Sequence, residues 1–587
     1  MNSSLCLITD DKINQNKNYK KFDFILTTSF IKKKNKKIIS IPDYIEKNKI
    51  ILRNEYLEIT NKIRTNFYNN KNKVYIDKQF NFFDLSLVEE KNPFKSNSIF
   101  KIIILLAIRK IIKENMIKKV IYCGNKLEIN SFLKNLNNKK EINFVPNYQI
   151  KSKVLLFFLK FIYFFKNIFL AINEILFISK IIFFFKKEFN VDKKKDFHIG
   201  VITQFAHIEK KNKTYKPSPW VNFDQIVKKK TKLWCFLYVK TNDFKNLKEL
   251  KKTLKNNNDK DFIFIHSLGS IKLIIKTILF YCYTLINYLF FSKKNFFTIK
   301  DINFYDIFYN DLQKSFIGTD SIKNISNFFL IKKLSTKFNF TNIFYLFENQ
   351  PHEKIINYLF KNKSKTIGFA HSSIRLWHLS YFNFIKMKNR LLLEPHYICL
   401  SKNTYNYTKN MNFNSKIINI EPIRFMNLDK QNNKSLNKKN KKILIIGDIL
   451  ENNTKKILSL VKQFKYYNRN YVFYFKPHIA SNIKFLKIND IKIINDEMKD
   501  LIKYFDYFIC GSSTTGGILP TLNNKRVLFY LDEDLLNLNP FYNLSKKHYF
   551  SNISELSYKI KFSFNKPDMK IKNFFHLNKW TKFVKKI

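Results

Sequence analysis

Short apolar runs alternate with helical and polar segments over most of the second half of the chain. Each run is five to eight residues long and rich in Ile, Phe, Leu and Val. Runs of this kind that alternate with helices indicate buried strands of a parallel α/β sheet. The first set of predicted strands spans 197–203, 232–239, 262–268, 343–348, 365–371 and 397–401.

The alternation restarts after a polar, lysine-rich segment at 427–442, which is the best linker candidate. The pattern therefore predicts an α/β fold with two Rossmann-like parallel-sheet domains, 196–425 and 440–587, that face a cleft. Ligands of such sheets bind at the carboxyl ends of the strands. An N-terminal α/β domain at 1–150 precedes them. The second set of predicted strands spans 442–448, 471–478, 491–496, 507–510 and 525–531.

Residues 151–190 form a segment of different character. Lys153, Lys160, Asn167 and Glu174 recur every seven positions, which gives one narrow polar stripe and a wide apolar face on a helix. Its longest unbroken apolar run is six residues, against the roughly 18–20 that a spanning helix needs. Three interpretations stay open for this amphipathic segment: buried helices, helices in the membrane interface, or a span. The shorter apolar stretch at 277–291 is expected to be a core or interface helix.

Composition adds a strong positive charge. Lys and Arg total 106 against 45 Asp and Glu, a net charge of +61, but only eight of the 106 are Arg. Such a bias is typical of lysine drift over a solvated surface, and the basic runs lack the aromatic spacing of a nucleic-acid platform. No nucleic-acid partner is expected. The six cysteines show no C-x-x-C pairing and the N-terminus shows no signal-peptide pattern, so a cytoplasmic protein is expected.

Two loops of the last domain resemble an anion site. The segment GSSTTGG at 511–517 holds three of the nine glycines and follows a predicted strand. Backbone N–H groups and hydroxyls in such a loop suit a phosphate, although a plain strand-to-helix turn would look similar. FKPHIA ends another strand of the same sheet. Together they predict nucleotide or phosphate binding by Lys476, His478, Gly511, Ser512, Ser513, Thr514 and Thr515.

The preceding domain carries the densest polar cluster. FENQPHE ends one predicted strand and AHSSIR follows the next, so both lie at one sheet edge. Glu348 is predicted as a general base, since a carboxylate at a strand end can accept a hydroxyl proton; a helix cap is the competing interpretation. His371 is the second predicted catalytic residue. The predicted substrate contacts are Gln350, Glu353, Ser372 and Arg375.

Other chemistries lack their motifs. There is no G-x-G-x-x-G, no H-E-x-x-H and no G-x-S-x-G. Two D-x-D sequences, at 259–261 and 532–534, are interpreted as solvated turns. We therefore expect no metal site and no cofactor.

The string YLFENQPHEKIINYLF followed by TIGFAHSS resembles the E-x-Q-P-W-E … G-x-Q-H-S signature of a family of bacterial surface-carbohydrate (O-antigen and capsule) biosynthesis proteins with a GT-B-like fold. KPHIA and GSSTTGG are similar to the K-P-H-P and Ser/Thr-rich motifs of that family and of sialyl-, polysialyl- and Kdo-transferases that use CMP-activated sugars. The resemblance covers 197–541. His352, Ala370 and Ile479 depart from the Trp, Gln and Pro of those motifs.

The resemblance implies a metal-independent glycosyltransferase with a nucleotide-sugar donor, CMP-linked. It implies that His478 and residues 512–515 bind the nucleotide phosphate while Glu348 deprotonates the acceptor and the anomeric centre inverts. The implied acceptor is a surface polysaccharide or a lipid-linked glycan, reached from the inner-membrane surface by a peripheral protein. A CDP-polyol phosphotransferase and a non-catalytic membrane-docked scaffold are the alternatives.

Overall fold

The fold is taken from a computed structural model. It describes residues 4–10, 21–30, 37–69, 74–146, 153–188, 195–205, 208–209, 214–215, 220, 223–227, 230–238, 247–255, 262–290, 296–299, 302–370, 374–382, 392–401, 413–420, 422–423, 441–468, 470–478, 491–505, 507–541, 544–562 and 580–584. Most of the predicted linker at 427–442 lies outside these ranges.

The N-terminal domain is a five-stranded parallel sheet, in the order β3-β2-β1-β6-β7, covered by helices. The Ser40 side chain caps the first helix by accepting from the Asp43 N–H at 3.2 Å. Apolar residues surround α4, which is buried. The elements are β1 (Leu5–Thr9), β2 (Phe24–Thr27), β3 (Ile38–Ser40), α1 (Ile41–Lys47), α2 (Lys49–Asn69), β4 (Tyr75–Asp77), β5 (Phe80–Asn81), α3 (Leu87–Glu90), α4 (Ser98–Glu114), β6 (Lys119–Cys123), α5 (Leu127–Asn138) and β7 (Asn143–Pro146).

The middle domain is a seven-stranded parallel sheet in the order β12-β11-β8-β15-β16-β17-β18. Its central strands are Ile- and Phe-rich and buried on both faces. The elements are α6 (Lys153–Glu188), β8 (Lys195–Phe205), β9 (Ile208–Glu209), β10 (Thr214–Tyr215), α7 (Phe223–Ile226), β11 (Lys232–Tyr238), α8 (Leu247–Lys255), β12 (Phe262–Phe264), α9 (Ile271–Phe290), β13 (Thr298–Ile299), β14 (Ile302–Asn303), α10 (Tyr305–Phe316), α11 (Thr319–Lys337), β15 (Phe338–Leu346), α12 (Pro351–Phe360), β16 (Lys365–Phe369), β17 (Tyr397–Leu400) and β18 (Lys416–Asn419).

The C-terminal domain is a six-stranded parallel sheet in the order β21-β20-β19-β22-β23-β24. Its last helix, α17, returns to the middle domain, where Trp580 packs edge-on against Phe369. The elements are β19 (Lys441–Ile446), α13 (Glu451–Tyr467), β20 (Tyr471–Lys476), β21 (Lys492–Ile493), α14 (Met498–Leu501), β22 (Tyr507–Gly511), α15 (Ile518–Leu522), β23 (Arg526–Tyr530), β24 (Tyr549–Phe550), α16 (Ile553–Phe562) and α17 (Trp580–Val584).

The predicted α/β fold with two Rossmann-like parallel sheets is confirmed by these strand orders. Two predicted strands are less than half as long in the structure. Residues 262–268 form a strand only to Phe264, followed by a 3₁₀ turn over Ile265–Leu268, and of 491–496 only Lys492–Ile493 is a strand. Just after the strand that ends at Phe264, the chain passes close to α6, as shown by Gly269, where a Cβ would lie 2.6 Å from Ile182. Within the apolar segment 151–190, the described residues Lys153–Glu188 form one helix, α6.

The N-terminal domain contacts both sheets that follow it. On the middle domain, the Lys354 ammonium donates to the Asp84 carbonyl at 2.7 Å. On the C-terminal domain, Lys546 pairs with Asp43 at 2.8 Å. The first domain therefore bridges the other two beside their strand ends.

Candidate active site between the two Rossmann-like domains

The Glu348 loop, residues 347–350, joins the carboxyl end of β15 to α12. Its backbone turns through Asn349, which has a φ of +57°, a conformation that Asn tolerates better than most residues. Pro351 begins the helix, where its missing N–H costs nothing. The loop is closed by Glu353, whose carboxylate accepts from the Glu348 N–H at 3.0 Å and the Asn349 N–H at 2.8 Å.

Glu353 is 2% exposed, so its carboxylate faces the loop backbone. Burial, and then the neighbouring Glu348 carboxylate, raise the pKa of Glu353 well above its usual value, while the backbone N–H groups act in the opposite direction. The structure thus differs from the predicted substrate contact. Glu353 positions the loop from beneath because it has no open face.

Glu348 itself is partly buried, so part of this residue stays accessible. The Gln350 amide donates to its Oε2 at 2.5 Å, which fixes the carboxylate. His352, on the first turn of α12, has its pKa lowered to about 4 by burial and by Lys95, with Glu348 acting in the opposite direction. Lys95 of the N-terminal domain interacts electrostatically with Glu348 and pairs with Glu90 at 2.7 Å. Glu348, the predicted base, therefore lies near the neutral imidazole of His352 and the ammonium group of Lys95.

The second polar segment of the middle domain follows β16. His371 and Ser372 lie outside the described residues. Arg375 is described and is 8% exposed, with its guanidinium 5.1 Å from the centre of the Phe94 ring. The N-terminal domain thus supplies Phe94 and Lys95 to the same wall as Glu348 and Arg375.

Asp448 is the centre of the C-terminal rim. It follows β19 directly and is fully buried. Its Oδ1 accepts from the Leu450 N–H at 3.0 Å and its Oδ2 accepts from the Ser513 N–H at 3.1 Å. A Cβ on Gly511 would lie 1.9 Å from this Oδ2, so only glycine leaves room for the carboxylate. One side chain therefore ties the carboxyl ends of two neighbouring strands.

His478 follows β20 on the other side of β19. A Cβ on Gly447 would lie 2.8 Å from the backbone nitrogen of His478, so the backbone of His478 lies against the end of β19. Burial, and to a lesser extent Arg375, lower the pKa of His478, while Asp448 acts in the opposite direction. The ring is therefore neutral at pH 7, with Asp448 available to stabilise its protonated form.

Lys476 lies at the end of the same strand but points along the sheet edge. Its ammonium donates to the Asp496 carbonyl at 2.5 Å and to the Asn495 carbonyl at 3.4 Å. Burial lowers the pKa of Lys476. Its role as a phosphate ligand stays a prediction, since in this conformation the loop after β21 engages the ammonium.

The predicted phosphate loop, 511–515, turns from β22 into α15. Ser512, Ser513 and Thr514 are each 2% exposed, whereas Thr515 is partly exposed. The Gly516 N–H donates to the Thr514 hydroxyl at 3.1 Å. Part of the loop is therefore satisfied internally, and its Thr515 end is the more accessible one.

The two rims lie close enough for the Arg375 guanidinium to contribute to the lowered pKa of His478, for which burial is the largest cause. Arg375 follows a strand of the middle sheet and His478 follows a strand of the C-terminal sheet, so the carboxyl ends of both sheets meet at one cleft. The cleft brings a carboxylate and a guanidinium on one wall against an imidazole and a hydroxyl loop on the other. This arrangement suits an anionic leaving group next to a nucleophilic hydroxyl.

The acidic D-x-D at 532–534 is an ion-pair site in the structure. The Lys456 ammonium donates to both carboxylate oxygens of Asp532, at 2.8 Å to Oδ1 and at 2.7 Å to Oδ2. The other D-x-D, 259–261, lies outside the described residues. Within the described part of the chain, no group of three or more His, Cys, Asp or Glu side chains could hold a metal ion.

Sequence reasoning missed Asp448 and the pair Phe94 and Lys95. The string KILIIGD ends a predicted strand beside the two anion loops, so Asp448 had a detectable signal of the same kind as His478. Phe94 and Lys95 had none, because they come from another domain.

No protein-family model matches the sequence, and no curated protein matches it. Among solved structures, the UDP-GlcNAc 2-epimerase from Neisseria meningitidis bound to UDP-GlcNAc is 12% identical, with a TM-score of 0.39, and covers 66% of this chain and 98% of its own. The glycotransferase of kitacinnamycin is 7% identical, with a TM-score of 0.34 over 64% and 91%. The pneumococcal O-GlcNAc transferase GtfA, in complex with UDP and GlcNAc, is 10% identical, with a TM-score of 0.33 over 57% and 84%.

Proposed function

We propose that the chain is a GT-B-type glycosyltransferase that moves a sugar from a nucleotide-activated donor to a glycan acceptor. The supporting observation is that polar strand ends of both sheets lie near one another: Asp448 fixes the 511–515 loop by accepting from the Ser513 N–H at 3.1 Å, and Arg375 of the middle domain contributes to the lowered pKa of His478. A cleft at the carboxyl ends of two parallel sheets is where such folds bind their ligands. No cofactor beyond the nucleotide-sugar substrate is needed.

Glu348 accepts the proton of the acceptor hydroxyl in this proposal. The acceptor oxygen forms a bond to the anomeric carbon as the bond from that carbon to the donor phosphate breaks, which inverts the anomeric centre. The nucleotide phosphate leaves with the electron pair. His478, Arg375 and the loop 511–515 stabilise the charge that develops on it, as preorganised donors do.

The donor we propose is CMP-linked, and the acceptor is a cell-surface polysaccharide or its lipid-linked precursor. Support for these finer assignments comes from the KPHIA, GSSTTGG and FENQPHE strings, since they are similar to motifs of transferases with that chemistry. His371 and Ser372, a few residues before Arg375 in the sequence, are the further residues that we propose for catalysis and substrate binding.

The test is a donor panel with the purified full chain. CMP-, CDP-, UDP- and GDP-linked donors are incubated with and without glycan acceptors, and release of the free nucleotide is measured. We expect turnover of one nucleotide class and its loss in Glu348→Gln and His478→Ala. Glu58→Gln, which removes a half-exposed surface carboxylate paired with Lys62, is the matched control.

Calorimetry with the free nucleotides separates the alternatives. Tight binding of CMP with turnover of a CMP-sugar supports the proposal, and transfer of a polyol phosphate from a CDP donor replaces it with phosphotransfer. If no nucleotide binds and both variants equal the wild type, the chain is a scaffold and the proposal is wrong.

A further inference from the structure

Two helices of the middle domain expose long apolar faces. The stretch Phe158–Lys186 of α6 has a mean hydropathy of 2.1, and Ile271–Leu289 of α9 has 1.3, and in each case only 28% of the most apolar window is buried. Both are long and apolar enough to cross a membrane by length and composition. Their contacts with the rest of the protein show what else they do.

α6 is held against the protein along its length. Near its start, Lys160 pairs with Asp306 at 2.7 Å. Near its end, Phe185 stacks on Phe264 with ring centres 4.1 Å apart. In between, Glu174 lies 4.0 Å from Lys323 on α11. A helix that keeps these contacts packs along the protein with one face, which leaves the opposite face exposed.

The free face of α6 is a regular apolar row. Phe158, Ile162, Phe165, Phe169 and Leu176 recur every three to seven residues, and each is more than half exposed. Solitary exposed apolar residues are ordinary, but a contiguous row of this length marks an interaction surface.

α9 carries a second row beside the first. Ile271, Ile275, Leu279, Ile286 and Leu289 are each at least 50% exposed. Its opposite face is fixed to the fold, where the Tyr281 hydroxyl donates to the Ile317 carbonyl at 2.8 Å. Because α6 and α9 touch each other and both pack on α11, the two rows form one surface.

Cations border this surface. Lys166, Lys180 and Lys186 on α6 and Lys272 and Lys276 on α9 are exposed. The described residues of these two helices include two acidic ones: Glu174, which faces Lys323, and Glu188, the last residue of α6. A two-fold contact between copies of this chain would bring like charges together. An anionic lipid surface complements both the apolar rows and the lysines.

We propose that α6 and α9 form a docking surface by which the protein lies on an anionic membrane leaflet. Asp320 at the start of α11 interacts electrostatically both with Glu174 of α6 and with Lys95 beside Glu348, so α11 connects the helix that carries this surface with the candidate active site. The docking itself does not depend on the proposed glycosyl transfer. A corollary does rest on that proposed function, namely that an acceptor in the membrane reaches Glu348.

The first test is co-sedimentation of the full chain with vesicles. The vesicles are phosphatidylcholine alone, or phosphatidylcholine with about one third phosphatidylglycerol. We expect binding to the anionic vesicles that weakens with salt and is at least about tenfold lower on the neutral ones. Equal binding to both, or to neither, would overturn the proposal.

Variants test the two parts of the surface separately. We expect the apolar variant to lose binding to the vesicles. We expect the lysine variant to lose the part of the binding that high salt removes in the wild type, because that part comes from the charge of these lysines. The control variant removes exposed aromatics from the C-terminal domain and is expected to bind as the wild type does. The apolar variant combines Phe165→Ser, Phe169→Ser, Leu176→Ser and Leu279→Ser; the lysine variant combines Lys166→Gln, Lys180→Gln, Lys272→Gln and Lys276→Gln; the control combines Tyr466→Ser, Tyr467→Ser and Phe562→Ser.

A probe on Cys282 reports contact directly. Cys282 lies on α9 and is exposed, Cys123 is partly buried and the other four cysteines are buried, so Cys123→Ser makes labelling with an environment-sensitive dye selective. We expect the emission to shift to the blue when anionic vesicles are added. An unchanged spectrum with bound protein would place the contact elsewhere and refute the assignment.

Two further outcomes exclude other occupants. Sodium carbonate at high pH is expected to release the bound protein, since it lies in the interface; retention would indicate a span and contradict the proposal. Sedimentation without vesicles is expected to give the same mass for the wild type and the apolar variant. A wild-type dimer that this variant dissolves would assign the surface to a second copy. Nucleotide binding, measured in parallel, is independent of all these results.

Discussion

The two walls of the cleft are each held by one buried carboxylate, but over different distances along the chain. Glu353 accepts N–H bonds from residues four and five positions before it, within its own loop. Asp448 accepts from Leu450 close by and from Ser513, 65 positions later. The first device shapes a single turn, whereas the second fixes how two strands end relative to one another.

The two walls also differ in whether the residue that holds the loop is the residue that acts in the proposed chemistry. On the middle-domain wall, the holding carboxylate and the predicted base are different residues, Glu353 and Glu348. On the C-terminal wall, Asp448 both holds the loop and acts on His478. We therefore expect mutations on the first wall to separate structure from activity, and mutations on the second to change both together.

The largest expected effect is on activity at the first wall. Glu348→Gln keeps an oxygen that can accept from Gln350 but removes the base, so we expect kcat to fall about 10²- to 10⁴-fold. The unfolding free energy, measured by urea denaturation, is expected to match that of the wild type. A kcat close to that of the Glu58→Gln control would remove Glu348 from the chemistry and break the distinction between the walls.

The next largest effects are expected at Asp448 and Glu353, the two buried carboxylates that hold the loops. Asp448→Ala leaves the Leu450 and Ser513 N–H groups buried without their acceptor, and we expect a loss of about 2–4 kcal/mol in unfolding free energy. Glu353→Ala is expected to lose about 1–3 kcal/mol. Only the Asp448 variant is also expected to weaken nucleotide binding, measured by calorimetry. Equal losses of binding in both variants would contradict the comparison.

Glycines at the two strand ends give a matched pair. Gly511→Ala would bring a Cβ to 1.9 Å from the Asp448 carboxylate, and Gly368→Ala would bring one to 3.0 Å from Phe347. We expect Gly511→Ala to lower the unfolding free energy by about 1–3 kcal/mol, because the held carboxylate must move. Gly368→Ala requires only a small shift of a ring, so thermal unfolding should show the smaller effect. The reverse order would mean that Asp448 is easily displaced.

The smallest expected effect is a pH dependence of nucleotide affinity. Burial lowers the pKa of His478 in the free protein, and a bound phosphate would raise it, so binding takes up a proton. Affinity should therefore rise as the pH falls from about 8 to 6, by at most about tenfold per unit.

His352 serves as the control for this profile, since burial lowers its pKa to about 4 and it stays neutral over that range. His478→Gln should flatten the calorimetric pH profile, and His352→Gln should leave it unchanged. In stability the sign is opposite: a depressed histidine pKa favours the folded state above the unfolded value near 6.5 and loses this contribution as the pH falls below it.

The fold could be predicted from the sequence because the strands are continuous apolar runs that tolerate no other role. The Glu353 bonds to the Glu348 loop left a local signal, since Glu353 lies five residues after Glu348 and Pro351 marks the helix start between them, but Glu353 was predicted as a substrate contact. Contacts between Asp448 and Ser513, or between Arg375 and Phe94, depend on which strands become neighbours. No local pattern carries that information, so the anion loop was predicted without the carboxylate that holds it.

The apolar helices show the same limit. α4 and α6 both read as apolar helices, yet α4 is enclosed by the N-terminal domain and α6 keeps a row of exposed phenylalanines. Sequence periodicity left three interpretations of α6 open. The contacts at both of its ends, which come from α10 and β12, are what favour a helix lying along a surface.

The bond between Asp448 and the Ser513 N–H has a consequence for turnover. With this carboxylate the cleft contains an anion of its own, which already satisfies part of the loop that a phosphate would use. A bound phosphate therefore lacks the Ser513 N–H and is held by the remaining donors of the loop, in the arrangement that Asp448 fixes. For the proposed transfer reaction, we therefore expect the spent nucleotide to dissociate quickly, so that one donor replaces the next without delay.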